Sequence, residues 1–175
     1  KRSNKLPANC SGTDTLISAR AVAPGGRVFA LDMTPAMLAK LRRNVALADA
    51  ANVEVIEGNA ESISLSDASV DVVTSNGVLN LVPDKAKAFA EIFRVLRPGG
   101  RVQIADIVVG RPVGEDARGD PKLWAECVVG ASLEQDYVEL FRSVGFASAV
   151  ILRRYDYFAG SASTDTRRGA HSLGA

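Results

Sequence analysis

The stretch "RVFALDMTPAMLAKLRRNVALADA", Arg27 to Ala50, decides the architecture. It opens with a short apolar run that ends in an acid, Asp32, as a buried strand does. It continues through Thr34, a helix N-cap residue, and Pro35, suited to the first helical position, into a segment whose Met37, Leu38, Leu41 and Val45 share one face. A strand therefore runs directly into a helix.

The unit repeats on both sides. Upstream, Thr13 to Val22 carries Leu16, Ile17, Ala19 and Val22 near a helical period and stops at "APGG". Downstream come strands in "VEVIEG" (Val53 to Gly58) and "ASVDVVTSN" (Ala68 to Asn76). A helix in "DKAKAFAEIFRVLRPGG", stopped by Pro98 and Gly99, and the long apolar strand "RVQIADIVV" follow. Apolar strands alternating with helices predict a parallel sheet covered on both faces, a doubly wound α/β fold. Beyond it, "DPKLWAECVVGASLEQDYVELFRSVGF" reads as two short helices, the second with Tyr137, Leu140, Phe141 and Val144 on one face. A last strand is expected over Ser148 to Phe158, and a polar terminal helix over residues 162–175.

Composition narrows the function. The 175 residues suit one domain; 47% are apolar and 23% charged, and the formal charge is +1, so no basic footprint for nucleic acid or an anionic membrane is present. No apolar run approaches the roughly 18 residues that span a bilayer, and the basic opening "KRSNK" leads into no signal-type segment, which makes a cytoplasmic protein the expectation. Cys10 and Cys127 lie far apart, without metal-ligand spacing, and the single His171 is near the C-terminus. No metal site and no nucleophilic triad assemble from that inventory. Any chemistry must need few protein side chains.

In open parallel sheets ligands bind beyond the carboxyl ends of the strands. Those ends here carry Asp32, Asn59 in "EGNAES", Ser75 and Asn76 in "VVTSNG", and Asp106 in "QIADIV". An acid closing the second strand suits the hydroxyls of a ribose. Taken singly, Asp32 also reads as helix-entry chemistry, Asn59 and Asn76 as turn residues, and Asp106 as a loop cap. Their joint spacing favours a site.

These residues resemble the class I S-adenosylmethionine-dependent methyltransferases. The resemblance runs from about residue 12 to 160 and is carried by "RVFALDMTPAML", "EGNAES" and "SVDVVTSNGVLNLVPDKAKAFAEIFRVLRPGGRVQIAD". It implies a Rossmann-like sheet and S-adenosylmethionine as cofactor. Gly12 would give backbone access, Asp32 hold the ribose, Met33 and Ala60 pack on the adenine, Asn59 meet the adenine edge, and Asn76 lie near the methionine end. Within the family the chain is similar to the arsenite methyltransferase-like branch. That likeness implies a small-molecule acceptor, trivalent arsenic, with Cys127 as a soft thiolate ligand and Trp124 and Glu126 beside it on the acceptor side. Further cysteines of that branch are absent here, near Thr15 and in "RRYDYFAG".

The chain departs from the family at its start. A strand and a glycine-rich turn should precede the first helix, whereas "KLPANCSGTD" keeps only Gly12, lacks the acid, and puts Pro7 where a central strand needs a donor. Residues 1–11 are accordingly expected to be irregular and the sheet incomplete at its first strand and at the C-terminus. Either an altered copy of a true enzyme or a divergent member fits that start, the former better. Three alternatives stand beside a small-molecule methyltransferase of arsenic: a methyltransferase of an ordinary organic acceptor, a non-catalytic binding module of the same fold, and a nicotinamide-dependent oxidoreductase.

Overall fold

In a computed structural model the described residues are 4–8 (as backbone), 12–110 and 129–156. A five-stranded parallel sheet contains β1 (Asn4–Ala8), β2 (Arg27–Asp32), β3 (Val53–Glu57), β4 (Val70–Asn76) and β5 (Leu96–Ala105) in the order β3-β2-β1-β4-β5. Between them run α1 (Thr13–Val22), α2 (Pro35–Leu47) and α3 (Lys85–Val95), with a 3-10 turn at Leu79–Leu81. A separate two-stranded sheet pairs β6 (Val108–Val109) with β7 (Ser132–Leu133), and α4 (Glu134–Ser143) follows.

The stretch expected to be irregular supplies, over Asn4–Ala8, the central strand. Pro7 leaves a visible mark there. Pairing toward β4 runs unbroken from Lys5 to Ala8, whereas pairing toward β2 registers at Asn4, Lys5 and Ala8 and skips Leu6 and Pro7. A proline without an N–H loses its ladder bond on one side only, so the other neighbour still holds the strand.

From β1 the chain winds outward to β2 and β3, then crosses to β4 and β5. The order reverses between β1 and β4, which makes the carboxyl edge there the crevice of the fold. The helices expected in Thr13–Val22, Thr34–Ala50 and Asp84–Gly100 form over Thr13–Val22, Pro35–Leu47 and Lys85–Val95. Asp84 caps α3 by accepting from Lys87 N at 3.0 Å. Thr34 precedes α2 without a side-chain cap bond; its N–H donates to Asp32 Oδ1 at 2.9 Å instead.

Three differences from the sequence reading have physical causes. First, the "LRPGG" turn belongs to β5: Leu96 pairs with Val70, and the ladder resumes at Arg101 opposite Val72. The extra residues bulge out, with Gly99 at φ 77°. A Cβ on Gly100 would come 2.8 Å from Arg97 O, so the turn closes only around a glycine.

Second, the long strand through "IADIVV" breaks at Asp106 and Ile107, where the Asp106 carboxylate takes bonds from other elements. Third, Ser148 to Asp156 forms no strand. Arg154 reaches back to the start of α4 and grips Glu134 with two bonds of 2.6 and 2.8 Å, leaving Val150 and Leu152 exposed. The first of the two short helices expected in this stretch falls in residues 111–128 and the terminal helix at 162–175, both outside the described residues.

The core is built on α3. Phe89, fully buried, meets Tyr137 and Phe141 of α4 edge-on at centroid distances of 5.5 and 4.8 Å, while Val70, Val73, Ile92 and Val95 close the layer against the sheet. Tyr137, Leu140, Phe141 and Val144 form the apolar face of α4 that its period predicts.

Candidate active site

Four loops at the carboxyl edge carry the residues singled out in the sequence. Gly12 enters α1 with φ 83° and ψ 1°, a left-handed conformation that favours glycine. A Cβ there would lie 2.8 Å from Leu41 Cδ1, so the glycine also lets α2 pack against the turn. Asp32 closes β2 in register with Glu57, and Gly58 N donates to Asp32 O at 3.0 Å, joining the β2 and β3 loops. Its Oδ1 accepts from Thr34 N; among the described residues its Oδ2 has no hydrogen-bond partner. Met33, next to it, is 64% exposed, an apolar surface at the mouth of the crevice.

Asn59 turns its loop with Oδ1, which accepts from Glu61 N at 2.9 Å. That is the Asx-turn anticipated for a loop asparagine, and it leaves the Nδ2 donors for another partner. Ala60 is half-buried against the core cluster. Asn76 ends β4 level with Ala105 of β5, is exposed, and donates from Nδ2 to Asp14 Oδ2 at 3.3 Å. The structure thus brings Gly12, Asp32, Met33, Asn59, Ala60 and Asn76 to one edge, around the point where strand order reverses. Trp124, Glu126 and Cys127 lie outside the described residues.

Sequence reasoning missed Asp14, whose carboxylate in the first turn of α1 faces Asn76 across the crevice. It also missed Asn80 and Lys85, and placed Tyr137 in the core without its polar end. Asn80 is fully buried; its N–H donates to Asp106 Oδ2 at 3.2 Å and its Nδ2 to Ile107 O at 2.7 Å. The Tyr137 hydroxyl donates to the same Asp106 Oδ2 at 3.0 Å. Burial pushes the Asp106 carboxyl above its ordinary range, against the pull of its donors and of Lys85, and burial lowers Lys85. Burial, and then the facing carboxylate, hold the Tyr137 hydroxyl protonated. An asparagine inside the apolar "VLNLV" was the one sequence signal for this cluster.

A cleft of about 590 Å³ lies at the opposite, amino edge, lined by Gly26, Arg27, Asn52 and Arg97. Arg27 and Arg97 are already paired, with Glu54 at 2.8 Å and Asp71 at 3.0 Å. Its position at the strand starts sets it apart from the crevice. Among the described residues no cluster of His, Cys, Asp and Glu could hold a metal ion, and no helix is long and apolar enough to cross a membrane.

Comparison with known proteins fits this geometry. An arsenite methyltransferase of Halobacterium salinarum is 43% identical over 141 residues, 81% of this chain and 36% of that protein. A demethylmenaquinone methyltransferase of Listeria monocytogenes is 38% identical over 107 residues, 61% of this chain and 45% of that one. The crystal structure of an arsenic(III) S-adenosylmethionine methyltransferase from Chlamydomonas reinhardtii superposes with a TM-score of 0.74 at 36% identity, covering 82% of this chain and 52% of the other. The chain therefore spans between about a third and a half of the length of these relatives. Residues 10–145 match the family described as a methyltransferase domain, and the chain belongs to that family.

Proposed function

We propose that this chain is the cofactor-binding part of an S-adenosylmethionine-dependent methyltransferase whose acceptor is a small molecule, trivalent arsenic in the first place. The observation that carries the cofactor is the set of polar and apolar groups gathered along the carboxyl edge of β1 to β4. A carboxylate oxygen of Asp32 without a partner among the described residues suits ribose hydroxyls, the Nδ2 group of Asn59 suits ring nitrogens, and the Met33 side chain offers an exposed apolar contact for a purine. Gly12 holds the α1 N-terminus at this edge in a left-handed turn, and Asn76 ends β4, one of the two strands that flank the reversal.

Bound S-adenosylmethionine would supply an activated methyl group. Transfer is an in-line displacement in which positive charge disappears, so the protein's task is to orient both partners and exclude water. This suits a crevice with no acid-base cluster at its mouth among the described residues. Support for arsenic comes from the names of the relatives and from Cys127, a thiolate suited to a soft centre. A second reading, an ordinary organic acceptor, draws on the demethylmenaquinone methyltransferase match.

Calorimetric titration with S-adenosylhomocysteine tests the cofactor. Micromolar binding by the wild type that weakens in Asp32→Ala supports the reading, and a folded chain that takes up none of the ligand refutes it. Arsenite titrated into that complex, with wild type against Cys127→Ser, separates the two acceptors: only the arsenic reading expects the substitution to abolish uptake.

A further inference from the structure

The turn that leaves β4 is stitched to the end of β5 by bonds to three consecutive residues. Gly77 N donates to Ala105 O at 2.8 Å, Asn80 N to Asp106 Oδ2 at 3.2 Å, and Asn80 Nδ2 to Ile107 O at 2.7 Å. Two of these bonds come from Asn80, which is fully buried. Leu79 and Val82 beside it are buried too, so apolar contact already holds the turn down. Such contact is non-directional, whereas hydrogen bonds fix orientation.

The pose of Asn80 is constrained on three sides. Turning its amide over would set an oxygen against Ile107 O. A Cβ on Gly130 would collide with Asn80 O, so the backbone before β7 lies directly against the asparagine main chain. From α4 the Tyr137 hydroxyl donates to the same Asp106 Oδ2, at 3.0 Å, and holds that acceptor in place for Asn80 N. Stability alone does not account for the arrangement: among the described residues Asn80 Oδ1 and Asp106 Oδ1 are buried without a donor, which counts against the folded state.

We propose that Asn80 is a positioning residue for the methyl donor: it fixes the exit of β4 on the end of β5 and thereby aims the Asn76 side chain into the crevice, with Tyr137 supporting it through Asp106. Asn76 is the last residue of β4, pairs with Ala105, and reaches Asp14 of α1 from there. A slip of Asn80 along Asp106 and Ile107 would draw Gly77 off Ala105 and turn Asn76 with it. Asn80 has no exposed surface, so it acts through Asn76 rather than by touching a ligand. This role rests on the methyl-transfer reading, and the test separates the two.

The test is a double-mutant cycle on wild type, Asn76→Ala, Asn80→Ala and the double variant, read by calorimetric titration with S-adenosylhomocysteine well below the thermal midpoint of each protein. We expect Asn80→Ala to weaken binding by about tenfold, as Asn76→Ala does. The double variant should also bind about tenfold more weakly than wild type, and not about a hundredfold, since Asn80 then has no side chain left to aim. Should Asn80→Ala fail to fold, Tyr137→Phe takes its place in the cycle: it keeps the ring that packs on Phe89 and removes only the hydroxyl. Its loss of about threefold should vanish in the Asn76→Ala background. A folded variant that melts earlier but binds as wild type does, or losses that multiply in the double variant, would make the cluster structural only and overturn the proposal. A folded wild type that binds none of the ligand overturns the methyl-transfer reading itself, and the positioning role with it.

Discussion

Asn76 Nδ2 lies 3.3 Å from Asp14 Oδ2, which ties the end of β4 to the first turn of α1 across the place where strand order reverses. The sequence departs from its family by lacking an acid at the end of its first strand, and Asp14 brings a carboxylate to the same edge six residues beyond Ala8, where that strand ends. Both side chains are reachable from solvent, so the bond itself is worth little to stability. Asn76→Ala should therefore leave the thermal midpoint within about 2 °C and weaken S-adenosylhomocysteine binding by about tenfold, as the loss of one oriented polar contact does. Equal affinity in wild type and variant would place the ligand elsewhere.

Asp32 makes a sharper case because its two oxygens have different work. Oδ1 orders the entry to α2 through Thr34 N, and Oδ2 is the atom available to a ligand. Asp32→Asn keeps an acceptor for Thr34 but gives up the charge, whereas Asp32→Ala gives up both. Binding of S-adenosylhomocysteine should fall by about tenfold in the asparagine variant and about a hundredfold in the alanine one, since bonds to charged groups contribute about 1.5–3 kcal/mol. Calorimetry on the three proteins checks the order, and an alanine variant that binds as the wild type does removes Asp32 from the site.

How much of this was legible in the sequence depends on which interaction decides each element. Helices α1 to α4 and strands β2 to β4 follow from apolar periodicity and caps, which are local. Strand β1 was not legible, because Pro7 and the missing glycines argue locally against it. Only the empty central slot between β2 and β4, a property of the sheet, selects it. Asp106 was visible as a polar residue at a strand end, but its partners Asn80 and Tyr137 lie 26 and 31 residues away, and no spacing rule joins them. The stretch from Ser148 read as a strand because Val150, Ile151 and Leu152 are β-formers, and the Arg154 fork on Glu134 is a tertiary contact that overrides that preference.

Gly12→Ala tests the entrance to α1. The left-handed φ of 83° is strained for alanine by about 1 kcal/mol, and the new methyl meets Leu41 Cδ1 at 2.8 Å in a core position. A total loss of about 2 kcal/mol is expected in urea unfolding, with Leu41→Ala in the same background recovering part of the strain. If the double variant gains nothing over simple addition of the two single losses, the contact with α2 is not what requires glycine.

Arg94 provides the last prediction, and it concerns the frame of the crevice. From α3 its guanidinium donates to Ile63 O, Leu65 O, Asp67 and Glu91, while Glu91 Oε2 accepts from Ile63 N at 2.8 Å, so one arginine and one glutamate pin the loop between β3 and β4. The Arg94 side chain is 31% exposed and that of Glu91 20%, so solvent screens the pair only in part. The hydrogen bond from Arg94 holds the Glu91 carboxyl below its ordinary range. A depressed carboxyl adds stability above the unfolded value of 4.5 and loses it as pH falls through the folded one. Wild type should therefore lose stability below about pH 4.5 more steeply than Glu91→Gln. Arg94→Ala, which strips two backbone carbonyls of their donor, should cost about 2–3 kcal/mol at neutral pH. Arg94→Lys should recover less than half of that, because a single ammonium cannot reproduce the planar fork across four acceptors. Urea unfolding at two pH values reads both effects, and a lysine variant as stable as the wild type would show that charge alone, without the fork, holds this loop.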